Sequence, residues 1–171
     1  MSLTAEDIAA TITRRAEGAR RFLVAIAGPP GAGKSTLAER LAEILNAHGE
    51  RAVVLPMDGF HMDNGILEQR GLLPRKGAPE TFDVRGFADI VRAVRAGDEE
   101  VLVPVFDRDR EIAIAAARSI APQDRIVLVE GNYLLLDRPP WSGLAPLFDF
   151  SVFVAPPLEE LERRLTARWQ G

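Results

Sequence analysis

Two rhythms of apolar residues alternate along the chain. Five short, mainly apolar runs stand out: FLVAIAG (22–28), AVVLPMD (52–58), VLVPVFD (101–107), the first half of IVLVEGNYLLL (126–136) and DFSVFVAP (149–156). FLVAIAG and the first half of IVLVEGNYLLL have the pattern of strands buried on both faces, and the other runs read as strands. Pro104 marks the third as an edge strand or a short one, because proline cannot donate to a ladder. Between the runs the apolar positions recur at helical spacing. Thr4 to about Arg20 reads as an opening helix with Thr4 as N-cap and Ile8 and Ile12 on one face. From Lys34 to His48, Leu37, Leu41, Ile44 and Leu45 share a face, and Gly49 closes the segment. Asp83 caps VRGFADIVRAVRAG, which Gly97 ends, and LEELERRLTARW (158–169) reads as a charged amphipathic helix. EIAIAAARSI (111–120) stays ambiguous, since alternation favours a strand and the alanines a helix. Residues 59–82 are turn-rich. Strands alternating with helices predict one α/β domain over residues 1–171, a doubly wound parallel sheet of about five strands with helices on both faces.

At 171 residues the chain is long enough to bury a real core, and 47% hydrophobic with 27% charged residues is ordinary globular composition. A formal charge of −4 gives no basic patch, so no nucleic acid is expected as a partner. There is no cysteine, which excludes disulfides and thiolate metal sites. No apolar stretch approaches the roughly 20 residues that span a bilayer, and the N-terminus lacks an apolar signal core. A cytoplasmic protein with no membrane partner is expected, with a homodimer left open. Lysine is scarce: Lys34 and Lys76 are the two, and the remaining 19 of the 21 basic residues are arginine. Codon preference explains most of that bias, yet one of the two lysines lies in a glycine-rich loop.

That loop is Gly28-Pro29-Pro30-Gly31-Ala32-Gly33-Lys34-Ser35, followed by Thr36. It satisfies G-x-x-x-x-G-K-[ST] at every required position, a pattern expected by chance in about one chain in 200 of this length. Glycines let the backbone fold into a concave nest of inward N–H groups, and the following helix adds its free N–H groups and positive dipole end. Lys34 bridges the β- and γ-phosphates in this pattern, the Ser35 hydroxyl ligates Mg²⁺, and Thr36 is placed to bond a further phosphate oxygen. Residues 28–36 are therefore the expected nucleotide site, with ATP and Mg²⁺ as ligands.

A phosphate loop alone does not separate a switch from a kinase, because transfer also needs a metal-side acid and a group that orients the attacker. In doubly wound sheets these gather at the carboxyl ends of strands. Glu130 ends the run IVLV, and an acid at the tip of a buried strand is costly unless it serves a metal or partner. It is assigned to Mg²⁺ or to a water on it. Asp58 ends AVVLPM and opens Asp58-Gly59-Phe60-His61, where it is placed to take the proton of an attacking hydroxyl. Each acid is otherwise an N-cap or turn residue.

At these residues a family resemblance becomes visible. The chain resembles P-loop kinases of the phosphoribulokinase, uridine kinase and pantothenate kinase superfamily over residues 22–169. The acid in MDGFHMDN looks like that superfamily's base and the EG pair in VEGNYLLL like its metal-side acid. The stretch MDGFHMDNGILEQRGLLPRKGAPETFDV is similar to bacterial pantothenate kinase, and more so to a subgroup of small proteins described as fructose transport system kinases or nucleoside kinase relatives, which share PVFDR and EGNYLLLD-PPW. Pantothenate kinases carry a substrate-binding histidine where Arg108 stands here, and a tyrosine where Phe106 stands, so pantothenate is disfavoured as acceptor. The chain stops at Trp169-Gln170-Gly171, where relatives continue through a lid and adenine-side elements.

Further candidates carry two readings each. His61 either bonds the acceptor or is a turn residue. Arg108 and Arg110 either bind an anionic or polyhydroxylated acceptor or pair with Asp107, Asp109 and Glu111. Asn132 and Tyr133 are placed to line the acceptor pocket, whereas Arg75 and Lys76 either cover the site or lie in solvent. Arg164 and Arg168, at i, i+4, resemble the family's lid arginines; otherwise they balance Glu160 on a helix surface. Together these residues predict an ATP-dependent kinase acting on a hydroxyl of a small metabolite such as a sugar, a nucleoside or a pantothenate-like compound. The competing prediction is a P-loop ATPase or nucleotide-binding switch working through a protein partner. No N-K-x-D guanine-reading segment is present.

Overall fold

The computed structural model describes residues 3–156 together with Arg163 and Thr166. The predicted helix over 158–169, and with it Arg164 and Arg168, therefore lies outside the described residues. The chain runs α1 (Ala5–Arg15), β1 (Phe22–Ala27), α2 (Lys34–Ala47), β2 (Ala52–Pro56), α3 (Asn64–Gln69), α4 (Val84–Ala96), β3 (Val101–Asp107), β4 (Ile112–Ile120), β5 (Ile126–Gly131) and β6 (Phe150–Phe153). Thr4 caps α1 in a reciprocal capping box with Asp7, each side chain accepting the other's backbone N–H at 3.1 Å. That helix stops at Arg15 rather than about Arg20, because Ala16 forms the cap and Gly18 turns the chain at φ 79°. Asp83 caps α4 by accepting from the Gly86 N–H, and Gly97 closes it in the left-handed region.

Four strands form one parallel sheet in the order β2-β5-β1-β6. Every residue of β1 and β5 is buried, and successive side chains go to opposite faces. Leu23, Ala25, Val127 and Val129 pack with Val84, Phe87, Val91 and Val94 of α4. Phe22, Val24, Ile126 and Leu128 pack with Ile8 and Ile12 of α1 and Leu41 and Leu45 of α2. Helices on both faces leave no polar side for these strands, which is why the runs carry no alternation. The register brings Ala27 level with Gly131, and Pro56 level with Glu130, so β1, β2 and β5 end on one line.

The sheet differs from the expected five parallel strands. VLVPVFD does form a strand, but it pairs antiparallel with β4 in a separate two-stranded sheet. Only four residues separate β3 from β4, enough for a hairpin and far too few for a parallel crossover. The register slips between Val103 and Val105, around the proline that has no N–H to give. The ambiguous 111–120 segment thus becomes a strand by pairing, with most of its side chains exposed instead of alternating. Its hairpin root belongs to the core through Val101, Val103 and Ile120.

Candidate active site

The loop 28–33 leaves β1 and turns into α2 with φ of 156° at Gly28, 76° at Gly31 and 91° at Gly33. These are left-handed or near-mirror conformations that side chains resist. A Cβ on Gly28 would also press on the Val154 carbonyl oxygen. Lys34 is buried, and its Nζ donates to the Pro29 carbonyl at 2.9 Å, so the ammonium folds back across the loop's mouth. The first turn of α2 has neither a side-chain cap nor an acidic residue, so nothing in that turn neutralises its positive dipole end. Pro30, Ser35 and Thr36 are exposed there.

Glu130 arrives from the neighbouring strand end and is 6% exposed. The Ser35 hydroxyl donates to its Oε1 at 3.0 Å. Burial pushes the Glu130 carboxyl above the usual carboxylate range, and the Asp58 charge pushes the same way. The Ser35 hydrogen bond, Lys34 and Arg108 act against that rise. An acid and a hydroxyl held together beside a phosphate nest suit a hard divalent cation that takes few protein ligands and completes its shell with phosphate and water. Among the described residues no three His, Cys, Asp or Glu side chains form a closed cage.

Asp58 sits on the single 3-10 turn Met57–Phe60 that follows β2. Gly59 lets this turn lie on β3: a Cβ there would stand 2.5 Å from the Pro104 carbonyl oxygen. The Asp58 carbonyl accepts from the His61 backbone N–H at 3.2 Å and from its Nδ1 at 2.7 Å. A carbonyl cannot donate, so the His61 proton is on Nδ1. The His61 ring lies between Phe82 and Phe106, with centroids at 4.2 and 4.5 Å. The Asp58 carboxylate, 24% exposed, accepts from the Arg108 guanidinium at 2.8 Å through Oδ2. Asp58 is held at both ends, main chain by His61 and side chain by Arg108.

The other candidates separate clearly. Arg110 faces solvent on the hairpin turn with Asp107 at 3.6 Å, while Arg108, two residues earlier, reaches the site. Tyr133 donates its hydroxyl to the Gly77 carbonyl at 2.7 Å, tying the exit of β5 to the 76–79 loop. Burial raises its phenol pKa, and Glu80 and Asp58 add to the rise. Asn132 is half-buried beside it. Lys76 binds Asn64 Oδ1 at 2.7 Å and Glu111 at 3.0 Å, and its Nζ stands 5.1 Å from the Phe106 ring centroid, so it fastens the turn-rich segment to the hairpin tip. Reasoning from sequence missed the aromatic clamp on His61 and the Arg108–Asp58 pair. The available signal was the set of aromatic residues inside the DGFH, ETFD and PVFD stretches. A cavity of about 820 Å³ lies at the other end of α2, lined by residues such as Ala9, Thr13, Ile44 and Arg125. It holds no glycine nest, and size does not outweigh the chemistry gathered at the strand ends.

The model of the phosphoribulokinase / uridine kinase family matches residues 23–167. The chain belongs to that family. Escherichia coli "Uncharacterized protein YggC" is 40% identical over 151 residues, 87% of this chain and 62% of YggC. The pantothenate kinase of Leifsonia xyli subsp. xyli is 36% identical over 139 residues, 78% of this chain and 42% of that enzyme. Among solved structures, a "putative fructose transport system kinase" from Silicibacter sp. TM1040 superposes with a TM-score of 0.94 at 47% identity, covering 99% of this chain and 82% of that one. This family member thus spans less than two thirds of those curated relatives. Among its described residues no helix is long and apolar enough to cross a membrane.

Proposed function

We propose that this chain is the catalytic domain of an ATP-dependent kinase that phosphorylates a hydroxyl of a small metabolite. One observation carries this: a phosphate nest, a buried acid bonded to its serine and a second, partly exposed acid meet at the level ends of β1, β5 and β2. Gly28 to Gly33, Lys34 and Thr36 would bind the triphosphate of ATP, and Ser35 with Glu130 would hold Mg²⁺. The metal supplies charge neutralisation at the phosphate oxygens. Asp58 would accept the acceptor's proton as its oxygen bonds to the γ-phosphorus; the bond to the β–γ bridging oxygen breaks, and ADP leaves with that electron pair. Arg108, His61 and Asn132 would line the acceptor side, while Tyr133 braces the 76–79 loop. Uridine, pantothenate and fructose are the acceptor classes that the names of relatives suggest.

The test is ADP formation with ATP and Mg²⁺ against sugars, nucleosides and pantothenate. Wild type should show acceptor-dependent turnover, and Asp58→Asn should lower kcat by about 10²–10⁴-fold, the range for loss of a general base. Lys34→Ala should abolish nucleotide-dependent turnover. Hydrolysis that needs no acceptor and ignores Asp58→Asn would point instead to an ATPase or switch module.

A further inference from the structure

Asp58 and Arg108 form a pair that the proposed chemistry must accommodate. The acceptor hydroxyl has to hydrogen-bond the Asp58 carboxylate, and Arg108 already takes Oδ2 at 2.8 Å. Two facts say how both can be present. Asp58 Oδ1 has no hydrogen-bond partner among the described residues, so a hydroxyl can dock there while the guanidinium stays. Arginine has five N–H donors, and among the described residues Asp58 is the only hydrogen-bonding partner of Arg108. Beside the proposed reacting hydroxyl, therefore, stands a planar cationic fork with most of its donors uncommitted.

Two neighbours sharpen the chemistry. Lys76 is already committed to Glu111 and Asn64, and Lys34 donates to the Pro29 carbonyl within its own loop. Arg110 is committed to Asp107. Among the described residues Arg108 has no carboxylate besides the proposed base. A further anion would meet two carboxylates here, Asp58 and Glu130, close enough that the charge of Asp58 raises the Glu130 pKa. Such a ligand is repelled unless a cation meets it, and a guanidinium fork matches the oxygens of a carboxylate or phosphate two at a time.

Resting on the kinase assignment above, we infer that the acceptor carries a carboxylate or phosphate close to the hydroxyl that is phosphorylated, and that Arg108 is the residue that selects it. The hydroxyl sits on Asp58 Oδ1 and gives it its proton while its oxygen bonds the γ-phosphorus of ATP and ADP departs. The anionic group takes the free edge of the Arg108 guanidinium. Position and charge are read by one side chain, which in turn holds the base. The His61 ring, stacked on Phe106 two residues before Arg108, keeps the turn and the hairpin in register for this.

Matched pairs test it: glycerate against glycerol, gluconate against glucose, ribose 5-phosphate against ribose. Each is offered with ATP and Mg²⁺ to wild type, Arg108→Gln and Arg108→Lys, and product is followed by mass spectrometry. The hydroxy acids and the sugar phosphate separate a carboxylate reader from a phosphate reader. At least one anionic member should exceed its neutral partner in kcat/KM by about 10–100-fold, the worth of a charge-assisted hydrogen bond. Arg108→Gln should bring that ratio near one, mainly through KM, and Arg108→Lys should recover part of it. Calorimetric binding of the preferred anion beside a non-hydrolysable ATP analogue should weaken in the same order, and thermal unfolding with that analogue shows that each variant is folded. Transfer only to neutral acceptors, or an anion preference that survives Arg108→Gln, overturns the inference and leaves the kinase standing. Absence of any Asp58-dependent transfer removes both.

Discussion

Glu130 shows what burial does to a single side chain at the end of a strand. Its folded-state carboxyl titrates above its ordinary value, first because burial penalises the charge and second because Asp58 is near. A raised acid contributes stability that is fully present below its unfolded pKa and is lost as pH rises through the folded one. Glu130→Gln should therefore melt higher than wild type at neutral pH, with the gap closing as the buffer is acidified below the ordinary glutamate range. Calorimetry across pH 4 to 8 checks this, and a gap that widens on acidification would contradict the assignment. The same variant should lose most turnover, because an amide could not neutralise the cation proposed beside Ser35. Stability is given up here for charge, as is common where a site is built for chemistry.

The element that matters most for the proposed acceptor side is the turn Met57–Phe60, pressed between β2 and the β3–β4 hairpin. Its clearance comes from Gly59, where any Cβ would stand closest to backbone atoms of Pro104, which cannot swing away. Gly59→Ala should cost about 1–3 kcal/mol in urea unfolding, the range for overpacking a close contact. It should also lower kcat through displacement of Asp58. A Gly49→Ala control has open space at the Cβ but φ 88°, so it reports backbone strain without the clash. The phosphate loop and the capping of α4 by Asp83 were legible in the chain, since each is set by contiguous residues. The hairpin was not. VLVPVFD and IVLVEG look alike as apolar runs, and only the partner available to each decides whether it joins the parallel sheet or pairs with the next strand.

For the whole molecule, the sheet acts as a plate whose two faces are closed by α1 and α2 on one side and α4 on the other. A ligand that binds only the folded state stabilises it by mass action, by about 2.7 kcal/mol at 100 times its Kd. ATP with Mg²⁺ should therefore raise Tm by several degrees, and Lys34→Ala should erase most of that rise while its melting point without nucleotide stays near wild type or falls modestly. A scan with and without nucleotide on both proteins measures it. An equal shift in Lys34→Ala would move the nucleotide away from the loop.

From the linear chain alone came the α/β class, the glycine loop that leads from β1 into α2, and Asp58 and Glu130 as acids at or just beyond strand ends. These depend on local chemistry: backbone freedom at glycine, burial of unbroken apolar runs, and the rule that loops leave parallel strands at one edge. Only the folded molecule decided that the third run leaves the main sheet, that Arg108 rather than Arg110 meets Asp58, and that His61 is clamped by rings at positions 82 and 106. The Asp58 and His61 contacts join residues 21 to 50 positions apart on the chain, and the β3–β4 pairing residues 5 to 19 apart. Such pairings are set by strand partnership and packing, and no local pattern specifies them.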